Sequence, residues 1–96
     1  MTPLDSHTKS YLTATIRKYF PTAEILFFGS RFRGDHKPMS DIDLCVDAGS
    51  PMSLGNLALL DEELSQSDLE FKVDLSDWHR ISADFKKHIQ ASSETW

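Results

Sequence analysis

The sequence predicts a small α+β protein with two layers, in which helices pack on a mixed β-sheet and the elements follow the order α-β-β-α-β-α. Two short segments alternate apolar and polar residues, as strands with one buried face do. A third short segment is almost entirely apolar, as a strand buried on both faces is. Longer segments carry apolar residues at spacings of three and four, which is typical of amphipathic helices. Strands and helices interleaved in this way favour a sheet covered by helices.

The first third of the chain predicts a helix and then a strand. Asp5 or Ser6 can cap a helix that runs to about Tyr19, because a short polar side chain at this position accepts a hydrogen bond from a free amide of the first turn. Pro21 ends the helix, since proline has no amide hydrogen and clashes with the preceding turn. The segment 24–28 reads EILFF, and we expect a strand buried on both faces there.

The next two segments predict a loop and a second strand. Residues 29–40 hold two glycines, a proline and several charges, so we expect a turn or loop, with room for one helical turn after Ser30. In residues 41–46 two aspartates and Cys45 alternate with aliphatic side chains. This period of two predicts a strand with its aliphatic face in the core. We expect Cys45 to be a small buried thiol rather than a metal ligand.

The second half of the chain predicts a helix, a strand and a further helix. Ser53 can cap the first of these helices. Its leucines recur at helical spacing, and we assign four of them to the core: Leu54, Leu57, Leu60 and Leu64. Residues 71–76 alternate again and predict a strand, and residues 82–90 predict the last helix. We expect the tail after residue 91, which includes Trp96, to be frayed.

Size and composition predict one globular domain that spans residues 1–96, with 40% hydrophobic and 26% charged residues. The formal net charge of −5 argues against nucleic acid as the primary partner, because proteins that bind nucleic acids hold the phosphates with basic residues. No apolar run is long enough to cross a bilayer, so we expect no membrane partner. A single cysteine cannot form an internal disulfide and fits a reducing, cytoplasmic location.

Two carboxylates one residue apart, Asp41 and Asp43, point to a metal site. On a strand, residues i and i+2 lie about 7 Å apart on the same face. Two Mg²⁺ ions that serve phosphoryl displacement lie about 3.5–4 Å apart, so two short carboxylates can converge on such a pair. The alternative is a pair of solvent-facing acids on an edge strand, where they would discourage aggregation.

A Gly-Ser turn directly after the first predicted strand favours the metal interpretation. Gly29 allows the backbone to bend sharply and to approach a phosphate closely, and Ser30 can donate its hydroxyl. Arg31 and Arg33 then offer two permanent cations for a triphosphate. Taken singly, these residues fit a plain turn and a solvated loop. Four such fixed positions match by chance in on the order of one chain in a thousand, so the joint pattern predicts nucleotide binding.

Residues 29–34, which read GSRFRG, and residues 40–44, which read SDIDL, resemble the signature of the DNA polymerase beta-type nucleotidyltransferase superfamily. More narrowly, they resemble the minimal nucleotidyltransferases that pair with HEPN-domain proteins in toxin–antitoxin systems. The resemblance implies the nucleotidyltransferase fold and ATP as the substrate. Phe32 departs from the pattern, because the family often has a small residue at this position.

The resemblance also implies roles for individual residues. It places the triphosphate against Gly29 and Ser30, and we expect Arg31, Arg33 and Ser40 to complete the nucleotide-binding set. It makes Asp41 and Asp43 ligands of two Mg²⁺ ions. The family uses a third carboxylate on a neighbouring strand to complete the metal site and to orient the attacking hydroxyl, and Asp74 matches it.

The position of Asp74 agrees with that role, because the alternation of residues 71–76 places it on the polar face of its strand. Glu70 and Asp77 are rival acids near the predicted ends of the same strand. A surface acid without a function is the remaining alternative for Asp74.

Together these residues predict a Mg²⁺-dependent nucleotidyltransferase with Asp41, Asp43 and Asp74 as its catalytic carboxylates. The resemblance implies that AMP passes from ATP to a hydroxyl, that of a tyrosine, on a HEPN-domain toxin, which would make this chain the antitoxin. We expect a second polypeptide to present the acceptor, since 96 residues leave no room for a further substrate-binding domain. Two alternatives stay open: a non-catalytic antitoxin that acts by binding alone, and an enzyme that modifies a small molecule such as an aminoglycoside.

Overall fold

The computed structural model describes residues 5–34, 41–69 and 71–96, and these form four helices and four strands. In chain order they are α1 (Ser6–Tyr19), β1 (Glu24–Phe28), α2 (Gly29–Arg33), β2 (Ile42–Asp47), α3 (Leu54–Ser65), β3 (Val73–Asp77), α4 (Ala83–Ala91) and β4 (Ser93–Thr95). The predicted α+β class is confirmed, and the predicted elements keep their order with α2 and β4 added. None of the described helices could span a membrane.

The described strands form a mixed sheet in the order β3-β2-β1-β4. β1 pairs antiparallel with both β2 and β4, whereas β2 and β3 run parallel. Two parallel neighbours need a long crossover, and α3 lies in the connection that supplies it. This topology brings the end of β1 and the beginnings of β2 and β3 to one edge of the molecule.

The alternation along β2 divides the sheet into two faces. The aliphatic residues of β2 are fully buried in the main core, where α1 and α3 also contribute: Ile42, Leu44 and Val46. Cys45 lies on the other face, in a smaller cluster with Ile89 of α4. Asp43 shares the face of Cys45 because side chains alternate with a period of two. The first strand is also buried on both faces as predicted, with Ile25, Phe27 and Phe28 all buried.

The helix starts lie where the sequence predicts them. Asp5 Oδ1 accepts a hydrogen bond of 2.7 Å from the amide of Thr8, and this caps α1. Ser53 caps α3 and Ser82 caps α4 in the same manner. These caps satisfy amides that have no partner inside the helix, which is why a short polar side chain predicts a helix start well.

The carboxyl terminus is ordered, so the predicted frayed tail was wrong. β4 pairs with β1, and the Trp96 amide donates to the carbonyl of Ile25 at 2.8 Å. The Trp96 ring lies 5.5 Å from the Phe27 ring, and Arg17 Nη2 donates to the Trp96 carbonyl at 3.1 Å. The three residues of β4 are polar and have no strand pattern of their own. Their order comes from the free edge of β1 and from the packed Trp96 ring.

The core assignment of the α3 leucines was right for three residues and wrong for Leu54. Leu60 and Leu64 are buried and Leu57 packs against the main core, but Leu54 is 68% exposed. A helix turns about 100° per residue, and Leu54 precedes Leu60 by six residues. Its side chain therefore points about 120° away from the direction of the buried Leu60 side chain. Leu54 therefore leaves the stripe that the other leucines form.

Hydrogen bonds of Asp77 connect the end of β3 to the segment before α3. Its carboxylate is 6% exposed and accepts hydrogen bonds from the amides of Met52 (2.8 Å) and His79 (2.9 Å) and from Arg80 Nη1 (2.6 Å). Arg80 Nη1 also donates to the Met52 carbonyl at 2.9 Å. A buried carboxylate needs such partners, because burial without them is costly. The contact holds β3, and with it Asp74, in register with β2.

We expect Asp77→Ala to lower the free energy of unfolding by about 2–4 kcal/mol, because it leaves the amides of Met52 and His79 without their acceptor and removes the carboxylate that pairs with Arg80. Urea unfolding followed by circular dichroism measures this loss. Asp84→Ala, an exposed acid in the first turn of α4, is the control and should cost less than about 1 kcal/mol. Equal losses in the two variants would contradict the role of Asp77.

Candidate active site

Asp43 is the residue around which the candidate site is built. In the sheet it pairs with Phe28 at the end of β1 on one side and with Asp74 of β3 on the other. Neighbouring strands lie about 4.8 Å apart, so the Asp43 and Asp74 carboxylates start from the same level of the sheet. Asp43 is half-buried and Asp74 is exposed.

Gly29 brings the backbone directly against the Asp43 carboxylate. Its φ is +86°, in the left-handed region that glycine adopts without a steric penalty. A Cβ atom at this position would overlap Asp43 Oδ2 and would lie 3.0 Å from Asp43 Cγ. Glycine is therefore required twice, by the backbone conformation and by the space. The turn places Ser30 and α2 next to the carboxylate.

Three effects raise the pKa of Asp43 above its usual range. Burial is the largest, and the negative charges of Asp74 and Asp41 follow. The positive charge of Arg33 acts in the opposite direction without outweighing them. Folding has therefore brought like charges together at a free-energy cost, and such an arrangement marks a candidate functional site.

Asp41 directly precedes β2 instead of lying in it, and its side chain is exposed. Its charge acts on Asp43, so the three predicted carboxylates are electrostatically coupled. They do not form a ready ligand set: within residues 5–34, 41–69 and 71–96, no three His, Cys, Asp or Glu side chains are grouped so that they could hold a metal ion. Repulsion between like charges opposes convergence until a cation neutralises them.

The three carboxylates nevertheless fit a magnesium ion in their chemistry. Mg²⁺ binds through one or two protein carboxylates, while water and substrate phosphates supply its remaining oxygen ligands. Asp43 is held by the sheet, and the exposed side chains of Asp41 and Asp74 can turn toward it. The pair of Mg²⁺ ions that the sequence predicts stays a prediction.

The two arginines of the predicted triphosphate site lie in different environments. Arg33 is exposed, and its charge acts on Asp43. Arg31 is 4% exposed, and its guanidinium carbon lies 3.7 Å from the centre of the Phe71 ring, a cation–π contact. Arg31 therefore connects α2 to the segment that leads into β3. Ser40 lies outside the described residues.

α2 is the short helix that the sequence allows in this segment, although it begins at Gly29 and not after Ser30. Gly34 ends it with a φ of +83°, and its amide donates to the Ser30 carbonyl at 2.9 Å. Phe32, where the family often has a small residue, packs edge-on against Phe27 with 5.9 Å between the ring centres. The larger side chain is accommodated in the main core, and it anchors α2 to the sheet.

The rival acids and the thiol take positions that distinguish them from Asp74. Asp77 already accepts three hydrogen bonds in its buried position, and Glu70 lies outside the described residues. Cys45 is buried as expected. Burial, followed by the charges of Asp77 and Asp47, raises its pKa to about 11, so the thiol stays protonated at neutral pH and is a poor metal ligand.

Sequence reasoning missed two contacts that shape this site. Phe28 lies opposite Asp43 and meets Phe85 of α4 with 5.7 Å between the ring centres. The sequence did indicate the side of the sheet on which Phe28 lies, because the alternation along β1 places it opposite the residues that face the main core. The stacking of Arg31 on Phe71 joins segments far apart in the chain, so no local pattern could have indicated it.

Alanine at Gly29 should be more destabilising than alanine at Gly49, a glycine with the same φ of +86°. The backbone penalty, about 1–2 kcal/mol, is shared by both variants. Nothing lies within 4 Å of a Cβ at Gly49, whereas at Gly29 the methyl group displaces the Asp43 carboxylate. We expect Gly29→Ala to lose at least about 1 kcal/mol more in urea unfolding. Equal losses would mean that the turn does not press on Asp43.

Asp43 should cost stability at neutral pH, because its raised pKa means that the ionised carboxylate is less stable in the folded chain than in the unfolded chain. The cost is present above the folded-state pKa and disappears below the ordinary aspartate value of about 4. We therefore expect Asp43→Asn to raise the melting temperature at pH 7 without metal, and to match the wild type at about pH 3.

Asp41→Asn is the control for this prediction, because it removes one charge from the same site at an exposed position. Its gain in melting temperature should be smaller, since burial is the largest cause of the Asp43 shift. Thermal unfolding by circular dichroism over the pH range measures both. A lower melting temperature for Asp43→Asn at pH 7 would contradict the electrostatic account.

The sequence of the chain is similar to those of known proteins. The sequence pattern of the family described as Polymerase beta, Nucleotidyltransferase matches residues 11–95. A protein of Haemophilus influenzae with the name probable protein adenylyltransferase MntA is 32% identical over 87 residues, which are 91% of this chain and 76% of that protein.

Solved structures show the same fold. A chain in the crystal structure of a toxin–antitoxin with AMP-PNP has a TM-score of 0.79 and 26% identity, over 92% of this chain and 72% of that chain. A chain in the complex of a tri-AMPylated HEPN toxin with its MNT antitoxin, from Shewanella oneidensis, has a TM-score of 0.75 and 23% identity, over 97% of this chain and 72% of that chain.

Proposed function

The chain belongs to the polymerase beta nucleotidyltransferase family, and we propose that it transfers AMP from ATP to a hydroxyl group of a protein partner in a Mg²⁺-dependent reaction. The acceptor in this proposal is a tyrosine of a HEPN-domain toxin, which makes the chain an antitoxin. Residues 1–96 act as one minimal nucleotidyltransferase domain, and the reaction takes place in the cytoplasm.

The observation that carries the proposal is the gathering of three carboxylates next to the Gly29 turn. Asp43 lies against the turn, pairs with Asp74 across the sheet and is subject to the charge of Asp41. The mutual repulsion of these acids is a cost without a structural benefit in the described residues. A divalent cation that holds a triphosphate against the turn would offset it.

In this proposal Asp41, Asp43 and Asp74 hold the metal. When bound, Mg²⁺ neutralises charge on the phosphate oxygens and so lowers the barrier to attack at phosphorus. Asp43 provides the fixed ligand because β2 and the Gly29 turn confine it. Asp74 orients the acceptor hydroxyl from β3, a strand with one free edge in the described sheet.

The triphosphate lies along the turn and α2. The absence of a side chain at Gly29 allows close approach of the backbone, and the Ser30 hydroxyl donates to a phosphate oxygen. Arg33 supplies a positive charge on the side of Asp43. Arg31 adds charge to the same end of the sheet while its stacking on Phe71 holds α2 in place. Ser40 joins this set on the family resemblance.

The transfer itself forms a bond between the acceptor oxygen and the α-phosphorus of ATP. The bond from that phosphorus to the oxygen it shares with the β-phosphate breaks, and pyrophosphate leaves. The hydroxyl proton passes to Asp74, whose carboxylate is exposed and can be reached by the acceptor. Positioning and charge neutralisation supply most of the catalysis in reactions of this class.

The adenylyl group and the protein acceptor are supported by the relatives. The Haemophilus influenzae protein is named a protein adenylyltransferase, and the toxin–antitoxin structure contains AMP-PNP, an analogue of ATP. The HEPN-domain partner follows from the family resemblance of the residues at 29–34 and 40–44.

Transfer should be measured with a HEPN-domain protein as the acceptor, with Mg²⁺ and with ATP labelled at its α-phosphate. We expect label on a partner tyrosine, located by mass spectrometry, and none after chelation of Mg²⁺. Asp43→Asn should reduce the rate at least about 1,000-fold, because it removes the fixed metal ligand. Asp84→Asn, on an exposed part of α4, should leave the rate unchanged.

A toxicity-rescue assay and the transfer assay with further candidate acceptors separate the alternatives. Rescue from the toxin by Asp43→Asn at wild-type efficiency would favour neutralisation by binding alone. Label on an aminoglycoside and never on the protein would favour the small-molecule enzyme and overturn the proposed acceptor.

A further inference from the structure

The outer side of α3 departs from the pattern of an ordinary surface helix. Its first two turns expose four apolar residues, and we call them the outer patch: Leu54, Gly55, Ala58 and Leu59. Leu54 is 68% and Leu59 is 52% exposed, and they are the exposed large hydrophobic side chains of the described residues. A surface helix normally has one apolar stripe opposite a polar face. Here the inward stripe is already formed by other leucines.

The remainder of the outer side of α3 is acidic. Asp61 and Glu62 are exposed toward the end of the helix, whose last turn contains no basic residue. Negative charge near the carboxyl end of a helix is unfavourable, because the helix dipole already places partial negative charge there. The outer patch breaks a local rule, and the acids break another although the Gln66 side chain donates to Glu62 Oε1 at 3.4 Å. Such departures from the local rules are typical of a surface selected for binding.

We propose that the outer patch is a docking surface for a protein partner that offers an apolar groove bordered by basic residues. The leucines supply buried contact, and the adjacent acids supply orientation and faster association. A second copy of this chain fits poorly, because it would bring the same acids together and each copy has a net charge of −5. The inference rests on the proposed function in taking the HEPN-domain protein as this partner.

The outer patch lies away from the acid site. α3 packs on the face of the sheet that carries Leu44, through Leu60 and Leu64 in the main core, whereas Asp43 lies on the opposite face. A partner docked on α3 leaves the acid site accessible to nucleotide and acceptor. Docking and nucleotide binding are therefore separable by mutation.

The test is the double variant Leu54→Gln with Leu59→Gln, with binding to the HEPN-domain protein measured by calorimetry. We expect the Kd to rise at least about tenfold, as loss of an apolar anchor usually causes. The fold should be intact, because both side chains are largely exposed. AMP-PNP with Mg²⁺ should raise the melting temperature of the variant as much as that of the wild type. His7→Gln with Ser10→Gln, on the exposed side of α1, is the control and should bind normally.

A second variant tests the charge. Asp61→Asn with Glu62→Gln should slow association and reduce its dependence on salt, with the outer patch unchanged. Wild-type affinity in the leucine variant would overturn the docking surface and leave the proposed function standing. A wild-type chain that does not bind the HEPN-domain protein would overturn the proposed partner and this inference with it. Loss of self-association instead of partner binding, seen by sedimentation, would assign the patch to a second copy.

Discussion

The contact between the Gly29 backbone and the Asp43 carboxylate is the constraint on which the site depends. It requires a residue directly after β1 that has a left-handed backbone conformation and no side chain. It also requires β2 to begin at a position where Asp43 faces that residue. Any residue larger than glycine would push the carboxylate away. Because the sheet pairing then places Asp74 beside Asp43, one backbone turn sets the arrangement of the whole acidic site.

The rest of the fold stabilises an arrangement that is unfavourable in itself. Burial and two neighbouring charges raise the pKa of Asp43, so the site costs stability at neutral pH. The hydrogen bonds of Asp77 hold β3 at its far end, and the packing of Phe32 on Phe27 holds α2 at the near end. The strand that carries Asp74 and the helical turn beside Asp43 are thus fixed by contacts outside the acidic site. This division is common where a functional site stores strain or charge.

The two faces of the sheet separate the proposed chemistry from the proposed docking. One face carries the acids beside the small cluster that α4 covers, and the other carries the main core beneath α1 and α3. An enzyme that acts on a protein must both hold its partner and reach one hydroxyl of it. The exposed leucines of α3 lie on the side away from the acids, so the proposed docking does not compete with the proposed chemistry.

Local signals predicted the elements that have them. Period-two alternation predicted β2, short polar caps predicted the helix starts, and the Gly-Ser turn before two acids predicted where Asp43 would lie. Long-range contacts decided the rest, because no neighbouring residues encode them. β4 forms because it pairs with the edge of β1. Arg31 stacks on Phe71 instead of lying on the surface. Leu54 is exposed because the turn of the helix points it away from the core. The sequence pattern identifies the side chains that could carry out the chemistry. Only tertiary packing determines which of these side chains lie close to one another.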